Sequence, residues 1–549
     1  MPVRKALAAA LAAGLVVAGA FAAHAADYVI HNARVTTLDP ARPQAQALAI
    51  SGERIEAVGA NEDVLRVHGA GARLIDAGGR RLIPGLIDSH IHAIRGGLSF
   101  AHEARLEGAR SIDEAMARVR AAAARTPTES WIVIGGGWTP EQFVEGRRPS
   151  AAEFEAAAPG RPLYAQLFYR AAYVSPEGRA ALGLDPQAPP PGLSFERDAA
   201  GAPNGWITGG VEAIAALWER LPKPGAEAAR ASLRAFFAEL NAHGVTGVID
   251  PGGHNLAPQD YAPLHALRAA GEMSLRVSYF MSAPEAGREE AFFARLAAER
   301  GGRSDDPWLR WLGFGERVTF GMYNVEAPSA QDVADFVRVA QLAARNQLSL
   351  TMHWNSQRNL APLIAAMEDV ARAHDLAGLR WSVAHLHDAE PAAIARLHSL
   401  GLGWLSQNAL HFAAPAFMRA LPAAQRAAAP PLASAIAMGA RVGAGTDATR
   451  VMSYKPFIAL QWMLDGLTVE GAPTRAADEL LTREQALRLW TQGSAWFAFA
   501  DEAAGAIAPG RWADLAILSE DYFEVPVERI GAIRAWLTMT GGRIVHASP

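Results

Sequence analysis

Ile83-Pro84-Gly85-Leu86-Ile87-Asp88-Ser89-His90-Ile91-His92 is the stretch around which the rest of the chain is read. Leu82 to Ile87 is a short apolar run with β-branched residues, broken only by Pro84-Gly85, and it predicts a strand entering a buried sheet. The run ends in His-x-His. On an extended chain residues i and i+2 point to the same side, so His90 and His92 can reach one metal ion together. Imidazole is the commonest neutral ligand for zinc and similar ions. The plain alternative is two solvated loop histidines, and the pair alone does not decide between them.

Downstream of this strand, apolar runs alternate with Ala/Leu/Arg-rich helical segments, the pattern of a parallel α/β domain. Eight strands are predicted: Leu82–Ser89, Val245–Asp250, Leu275–Met281, Trp311–Glu316, Leu348–His353, Arg380–His385, Gly403–Ser406 and Arg441–Asp447. Helical stretches fall between them, among them Ala226–His243, Ser329–Asn346, Leu360–His374 and Pro431–Met438. Eight strands with intervening helices predict a TIM-type (β/α)8 barrel over residues 83–504, with its active site where the strands end. An insertion of about residues 100–240 separates the first two strands. It holds the apolar runs Trp131–Ile134 and Leu163–Phe168, and between Asp185 and Asn204 its Pro and Gly predict a loop. A segment of this length at the C-terminal face of a barrel is expected to lie over the active site as a lid.

Both chain ends are β-rich. Residues 26–82 carry short strands at Tyr28–Ile30, Arg34–Thr37, Ala47–Ile50, Arg54–Val58 and Arg73–Ile75, separated by turn residues such as Asp39-Pro40 and Gly78-Gly79. Residues 505–549 supply Ala513–Leu518, Ile533–Met539 and Ile544–His546. The two pieces predict one discontinuous β-sandwich domain closed by both termini.

The 549 residues are half hydrophobic, with a formal net charge of −5. No stretch is basic enough for nucleic-acid binding. Cysteine is absent, which excludes disulfides and thiolate metal sites and leaves metal binding to His, Asp and Glu. Residues 1–25 predict a signal peptide. Arg4 and Lys5 form the positive region, Ala6 to Ala22 the apolar region, and Ala23-His24-Ala25 the cleavage site, so that Ala26 starts the mature chain. Loss of Arg4 and Lys5 takes the formal charge from −5 to −5 − 2 = −7. No other run is long enough to span a bilayer. The expectation is a periplasmic or secreted protein with no stable membrane anchor, a small-molecule substrate and an assembly compatible with a homodimer.

The polar residues that end the strands carry the chemistry. The first strand ends at His90 and His92, the fourth at Glu316, the fifth at His353, the sixth at His385 and the eighth at Asp447. All fall on one rim of the predicted barrel, where ligands are collected from separate strands. Four histidines with one or two carboxylates suit zinc, manganese, iron or nickel. Each also has an ordinary reading: a buried histidine satisfied by backbone for His353 or His385, with His387 as competitor for the latter, and a helix N-cap for Asp447. Ligand-type residues at five of eight strand ends are hard to explain as packing.

With these residues in place the chain resembles the amidohydrolase superfamily, and within it the amidohydrolase family 3 type. The resemblance runs from Val29–Asp39 through Gly52–Gly59, the Pro84–His92 signature, Gly136-Gly137-Trp138, Gly244–Val248, His353, Ala384-His385 and Gly445-Thr446-Asp447 to Gly510–Ala516. It implies His90, His92, His353 and His385 as metal ligands. It implies Asp447 as the aspartate that binds metal and shuttles the proton. The family often carries a fourth-strand lysine that is carbamylated to bridge two metals. Here the lysines are Lys5, Lys223 and Lys455, so no carbamylated lysine is expected; the expected cofactor is one or two zinc ions, with Glu316 as the candidate bridge if there are two. Two further departures bear on the substrate. Trp354-Asn355-Ser356 follows the fifth-strand histidine in place of Gly-Asp, and Phe168-Tyr169-Arg170 stands where related proteins show Asp-Gly-His.

The ligand set supports hydrolysis by metal-activated water, with Asp447 as general base and then general acid toward a leaving nitrogen. Trp138, Arg170 and Trp354 are candidate pocket residues from the presumed lid and rim, with ordinary packing as the alternative. Arg170 is the candidate partner for a substrate carboxylate. The expected activity is hydrolysis of an amide, N-acyl or cyclic amide C–N bond. An esterase or lactonase on the same site, and a non-catalytic exported binding protein, are the alternatives.

Overall fold

Leu86–Asp88 (β1), Val245–Asp250 (β2), Arg276–Met281 (β3), Leu309–Phe314 (β4), Ser349–Trp354 (β5), Ser382–His385 (β6), Gly403–Gln407 (β7) and Val442–Gly445 (β8) lie side by side, in chain order, in one eight-stranded sheet. The structure is a computed structural model and describes residues 26–323, 325–412 and 429–549. Every neighbouring pair of these strands is parallel. Ser89 N donates to the Ala444 carbonyl at 2.9 Å and Asp447 N to that of His90 at 2.7 Å, which sets β8 against β1 and nearly closes a TIM-like barrel. Strands buried on both faces need near-continuous apolar sequence, and β8, Val-Gly-Ala-Gly with all four residues buried, is an example.

The helices pack one face on the barrel. In Ala330–Arg345 the buried residues Phe336, Val339, Ala340, Ala343 and Ala344 recur at helical spacing. That helix starts where the Ser329 side chain accepts from Asp332 N and the Asp332 carboxylate accepts from Ser329 N, a reciprocal cap.

The predicted first strand, Leu82–Ser89, is two strands. Arg81–Pro84 pairs antiparallel with Leu515–Leu518 in the terminal domain, and only Leu86–Asp88 joins the barrel. Gly85 is the break between them. Its N–H donates to the Asp514 carbonyl at 2.9 Å, and a β-carbon there would collide with Thr246.

The terminal domain is a sandwich of two sheets. Four strands (Tyr28–His31, Ala47–Ser51, Arg54–Gly59, Arg73–Asp76) face six (Arg34–Thr36, Gln44–Ala45, Arg81–Pro84, Leu515–Leu518, Ala535–Thr540, Arg543–Ala547). Ile30, Leu48, Ile50, Leu82, Leu515, Ile517 and Met539 fill the space between them. The six-stranded sheet mixes strands from both ends of the chain.

Between β1 and β2 lies a five-stranded sheet of Ile132–Ile134, Leu163–Leu167, Ala171–Val174, Leu193–Arg197 and Pro203–Gly209. Apolar clusters cover it, with Phe154, Tyr173 and Trp206 in one and Tyr164, Ile207 and Leu217 in another. The Pro/Gly-rich stretch predicted as loop contains one of these strands. Leu193–Arg197 pairs antiparallel with Pro203–Gly209, which satisfies its backbone despite the breakers on either side. The predicted signal peptide lies outside the described residues. No helix among the described residues is long and apolar enough to cross a membrane.

Candidate metal centre

The ends of β1, β4, β5, β6 and β8 bring His90, His92, Glu316, His353, His385 and Asp447 into one buried cluster. Three overlapping sets each place three potential ligand atoms within 4.8 Å of one another: His90–His92–Glu316, His90–His385–Asp447 and Glu316–His353–His385. Glu316 stands between the pairs. Its Oε1 lies 3.5 Å from His92 Nε2, while its Oε2 lies 2.9 Å from His353 Nδ1 and 3.5 Å from His90 Nε2. Asp447 Oδ1 lies 3.1 Å from His92 Nε2 and 3.6 Å from His90 Nε2. His385 Nε2 approaches His353 Nδ1 at 2.8 Å. His387 is not in these sets and instead lines the cavity beside them.

Burial and neighbouring charge act against each other in the cluster. Burial opposes ionisation of Glu316, yet the His353 and His92 imidazoles hold its carboxyl well below the usual range. The same holds for Asp447, where the neighbouring His90 and His92 imidazoles outweigh burial and keep it ionised. Burial would neutralise His90, but the Asp447 and Glu316 carboxylates beside it raise it to about 10. His385 goes the other way, to about 4, through burial and the His353 charge. Both nitrogens of His90, Nε2 of His353 and Nδ1 of His385 are buried with no hydrogen-bond partner. Buried polar atoms of this kind are normally satisfied. A His/carboxylate set with orphaned ring nitrogens is the donor set of a divalent metal, so the residues fit such an ion.

A second layer holds the ligands in place. His92 Nδ1 lies 2.7 Å from the Gly252 carbonyl, so Nδ1–H donates there and Nε2 is left to face the cluster. Asp88 accepts from His90 N, Thr446 N and Thr446 Oγ1, at 3.1, 3.1 and 2.7 Å. Asp250 accepts from Ile94 N and Gly252 N at 2.7 and 2.8 Å. Gln407 Oε1 accepts from His385 N at 3.0 Å. Of these, Asp250-Pro251-Gly252-Gly253 had a sequence signal, since it ends β2 on the ligand rim.

A cavity of about 310 Å³ opens beside the cluster, with His92, Glu316, His353 and Asp447 in its wall. Phe168, Tyr169, Arg170 and Val211 of the insertion also line it, so the insertion contributes part of the cavity wall. Arg170 lies at the exposed rim with its guanidinium 5.6 Å from the Phe168 ring centre. The other two candidate pocket residues do not line this cavity. Trp138 is packed in the insertion core against Phe143 and Trp206, its Nε1 donating to the Gln166 carbonyl at 2.9 Å. Trp354 is buried in the main barrel core. It follows His353 on β5, and alternation along a strand turns it to the opposite side from its neighbour. Arg95, His254 and Tyr323 line the cavity and were not singled out from the sequence.

The amidohydrolase family (Amidohydro_3) matches residues 73–546 of this chain, and the chain belongs to that family. The N-substituted formamide deformylase of Arthrobacter pascens is 24% identical over 545 residues, 94% of this chain and 97% of the deformylase. Among solved structures, an uncharacterized metal-dependent hydrolase from Pyrococcus horikoshii has a TM-score of 0.66 at 17% identity, covering 91% of this chain and 99% of the other. The atrazine chlorohydrolase TrzN from Arthrobacter aurescens, complexed with zinc, has a TM-score of 0.54 at 18% identity, with 95% of each chain covered. These structures share the fold. Fold, family and the buried His-rich centre together define a metal-dependent amidohydrolase.

Proposed function

We propose that this amidohydrolase cleaves amide or N-acyl C–N bonds of a small-molecule substrate, using zinc held by His90, His92, Glu316, His353, His385 and Asp447. The observation that carries the reading is the convergence of five strand ends on one buried donor set beside a cavity. A divalent metal in such a set lowers the pKa of water toward neutrality and polarises a carbonyl oxygen.

The chain's own residues then divide the work. Asp447 is kept ionised at the cluster edge, ready to accept the proton of the attacking water and return it to the leaving nitrogen. His92 is held in one tautomer by Gly252, so its cluster-facing nitrogen needs no reorganisation. Phe168, Tyr169 and Val211 limit water access from the insertion's part of the wall. The relative named as a formamide deformylase supports C–N cleavage, and the zinc complex of TrzN supports zinc.

The test is a screen of N-substituted formamides, N-acyl amino acids, cyclic amides and simple esters. Turnover of a C–N substrate that chelation removes and zinc restores is expected; turnover of esters alone overturns the reading. We further propose export, supported by Arg4, Lys5, the apolar run to Ala22 and Ala23-His24-Ala25. Intact mass of the exported protein should place the first residue at or near Ala26, and a mass retaining Arg4 and Lys5 rules cleavage out.

A further inference from the structure

Arg95 lies three residues beyond His92, in the short helix Ala93–Gly97, and lines the cavity that holds the metal cluster. It is 4% exposed. Its hydrogen bond among the described residues runs from Nη1 to the His254 carbonyl at 3.2 Å, and its guanidinium lies 5.9 Å from the Tyr169 ring centre. No ion pair to a carboxylate is made by Arg95 among the described residues. Three other arginines are better supplied, whereas the buried Arg450 and Arg475 likewise make no ion pair among the described residues. Arg105 is held by Glu103 and Glu107, and Arg276 by Asp514. Arg161 donates to the carbonyls of Ala123, Thr126, Pro127 and Ser130. The buried Asp250 carboxylate acts on Arg95 only through space, its oxygens accepting from Ile94 N and Gly252 N, so the guanidinium fork is left to match a further carboxylate.

The wall around Arg95 offers donors. Arg317 Nη1 lies 3.1 Å from His254 Nδ1, and arginine only donates, so that nitrogen accepts. His254 therefore carries its proton on Nε2, which donates to the Tyr323 oxygen at 3.1 Å. The Tyr323 proton is then left for a partner in the cavity. Arg170 adds a second cation at the rim. Glu212 is exposed, 3.8 Å from His254 Nδ1 and 3.9 Å from Arg317 Nη1. The acidic residues in the cavity wall itself are Glu316 and Asp447, which belong to the metal cluster.

We propose that Arg95 binds a carboxylate that the substrate carries away from the scissile bond. The substrate class is an N-acyl amino acid with an apolar side chain, since Phe168, Val211, Leu410, Val451 and Met452 line the rest of the cavity. The anchor is Arg95, deep in the cavity, rather than Arg170 at its rim. This rests on the C–N hydrolase reading for turnover, but not for binding.

The experiment titrates zinc-loaded protein with racemic N-acetyl-leucine and with N-acetyl-leucinamide, which has the same shape and no charge, and measures turnover of both. In the parent the acid binds at least ten-fold more tightly than the amide. Arg95→Met weakens the acid by ten- to a hundred-fold, as loss of a charge-assisted pair predicts, and changes the amide less than two-fold. Arg95→Lys, which keeps the charge, recovers part of the loss. Equal losses for both ligands in Arg95→Met, or a parent with no preference for the acid, overturn the proposal. Arg95-dependent binding of the acid with no cleavage of either compound leaves the anion subsite standing and removes the C–N reading. Cleavage of both alike, untouched by Arg95→Met, does the reverse.

Discussion

Asp447, two residues after the end of β8, has a backbone φ of 56°, a left-handed conformation that aspartate and asparagine tolerate better than most residues. Its N–H is spent on the His90 carbonyl, so the turn and the first ligand strand hold each other. Asp447→Asn keeps the shape and the backbone conformation but cannot take up a proton. We expect turnover to fall by about 10²–10⁴-fold, the usual share of an acid–base residue, with the melting temperature unchanged. A variant that turns over at the parent's rate removes Asp447 as the base. Glu316 is the other residue of consequence. Its two oxygens face different histidines, as a bridging carboxylate between two ions requires. Metal analysis of protein saturated with zinc should find about two ions per chain, and about one or fewer in Glu316→Gln, as a two-metal site demands. The same stoichiometry in both would show that Glu316 does not bridge.

The turn that follows β2 is the element that shapes the centre. Gly252 and Gly253 have φ of 79° and 114°, a region open mainly to glycine. A β-carbon on Gly253 would sit 3.0 Å from both Glu316 Oε1 and His92 Cε1. Gly253→Ala should therefore cost about 1–3 kcal/mol of backbone strain. It should also weaken zinc binding by about 10–100-fold, because the displaced groups orient the ligands. Thermal unfolding of the metal-free protein and a zinc titration read the two effects separately. Unchanged zinc affinity would mean that the turn does not press on the ligands.

At the scale of the whole molecule, the chain's two ends and the barrel are joined by a buried ion pair. Arg276 of β3 places Nε 2.7 Å and Nη2 3.2 Å from the Asp514 carboxylate, and Gly541 N donates to that same carboxylate at 2.7 Å. Asp514 immediately precedes the strand Leu515–Leu518, which pairs with Arg81–Pro84, the strand leading into β1. Removing one partner of a buried pair leaves the other charge uncompensated, at about 3–5 kcal/mol. Asp514→Ala should lower the urea midpoint accordingly, with the zinc content of the folded protein unchanged. A shift under about 1 kcal/mol would show that Glu53, 3.4 Å from Arg276, takes over the charge.

Much of the centre was legible in the residues. A histidine or acid that ends an apolar strand stands out against the run before it, and the barrel topology sends strand ends to one rim. The eight barrel strands were legible for the same reason, since buried parallel strands read as apolar runs between helices. Leu82–Ser89 was read as one strand despite the Pro84-Gly85 break, and only the pairing with Leu515–Leu518 shows that the chain changes sheets there. The pocket was the least legible part. Trp138 and Trp354 have the composition of a binding wall, but whether an aromatic faces a cavity or a core depends on what packs against it. Arg95 is an ordinary arginine in the sequence. Its burial without an ion pair among the described residues arises only in the fold, where Tyr169 of the insertion and His254 of the segment after β2 meet it. Local pattern thus determined the strands and the residues that gather in the cluster, because periodicity and residue type are local properties. The pocket's charge was decided by the tertiary structure, because pairing depends on neighbours that are distant in the chain.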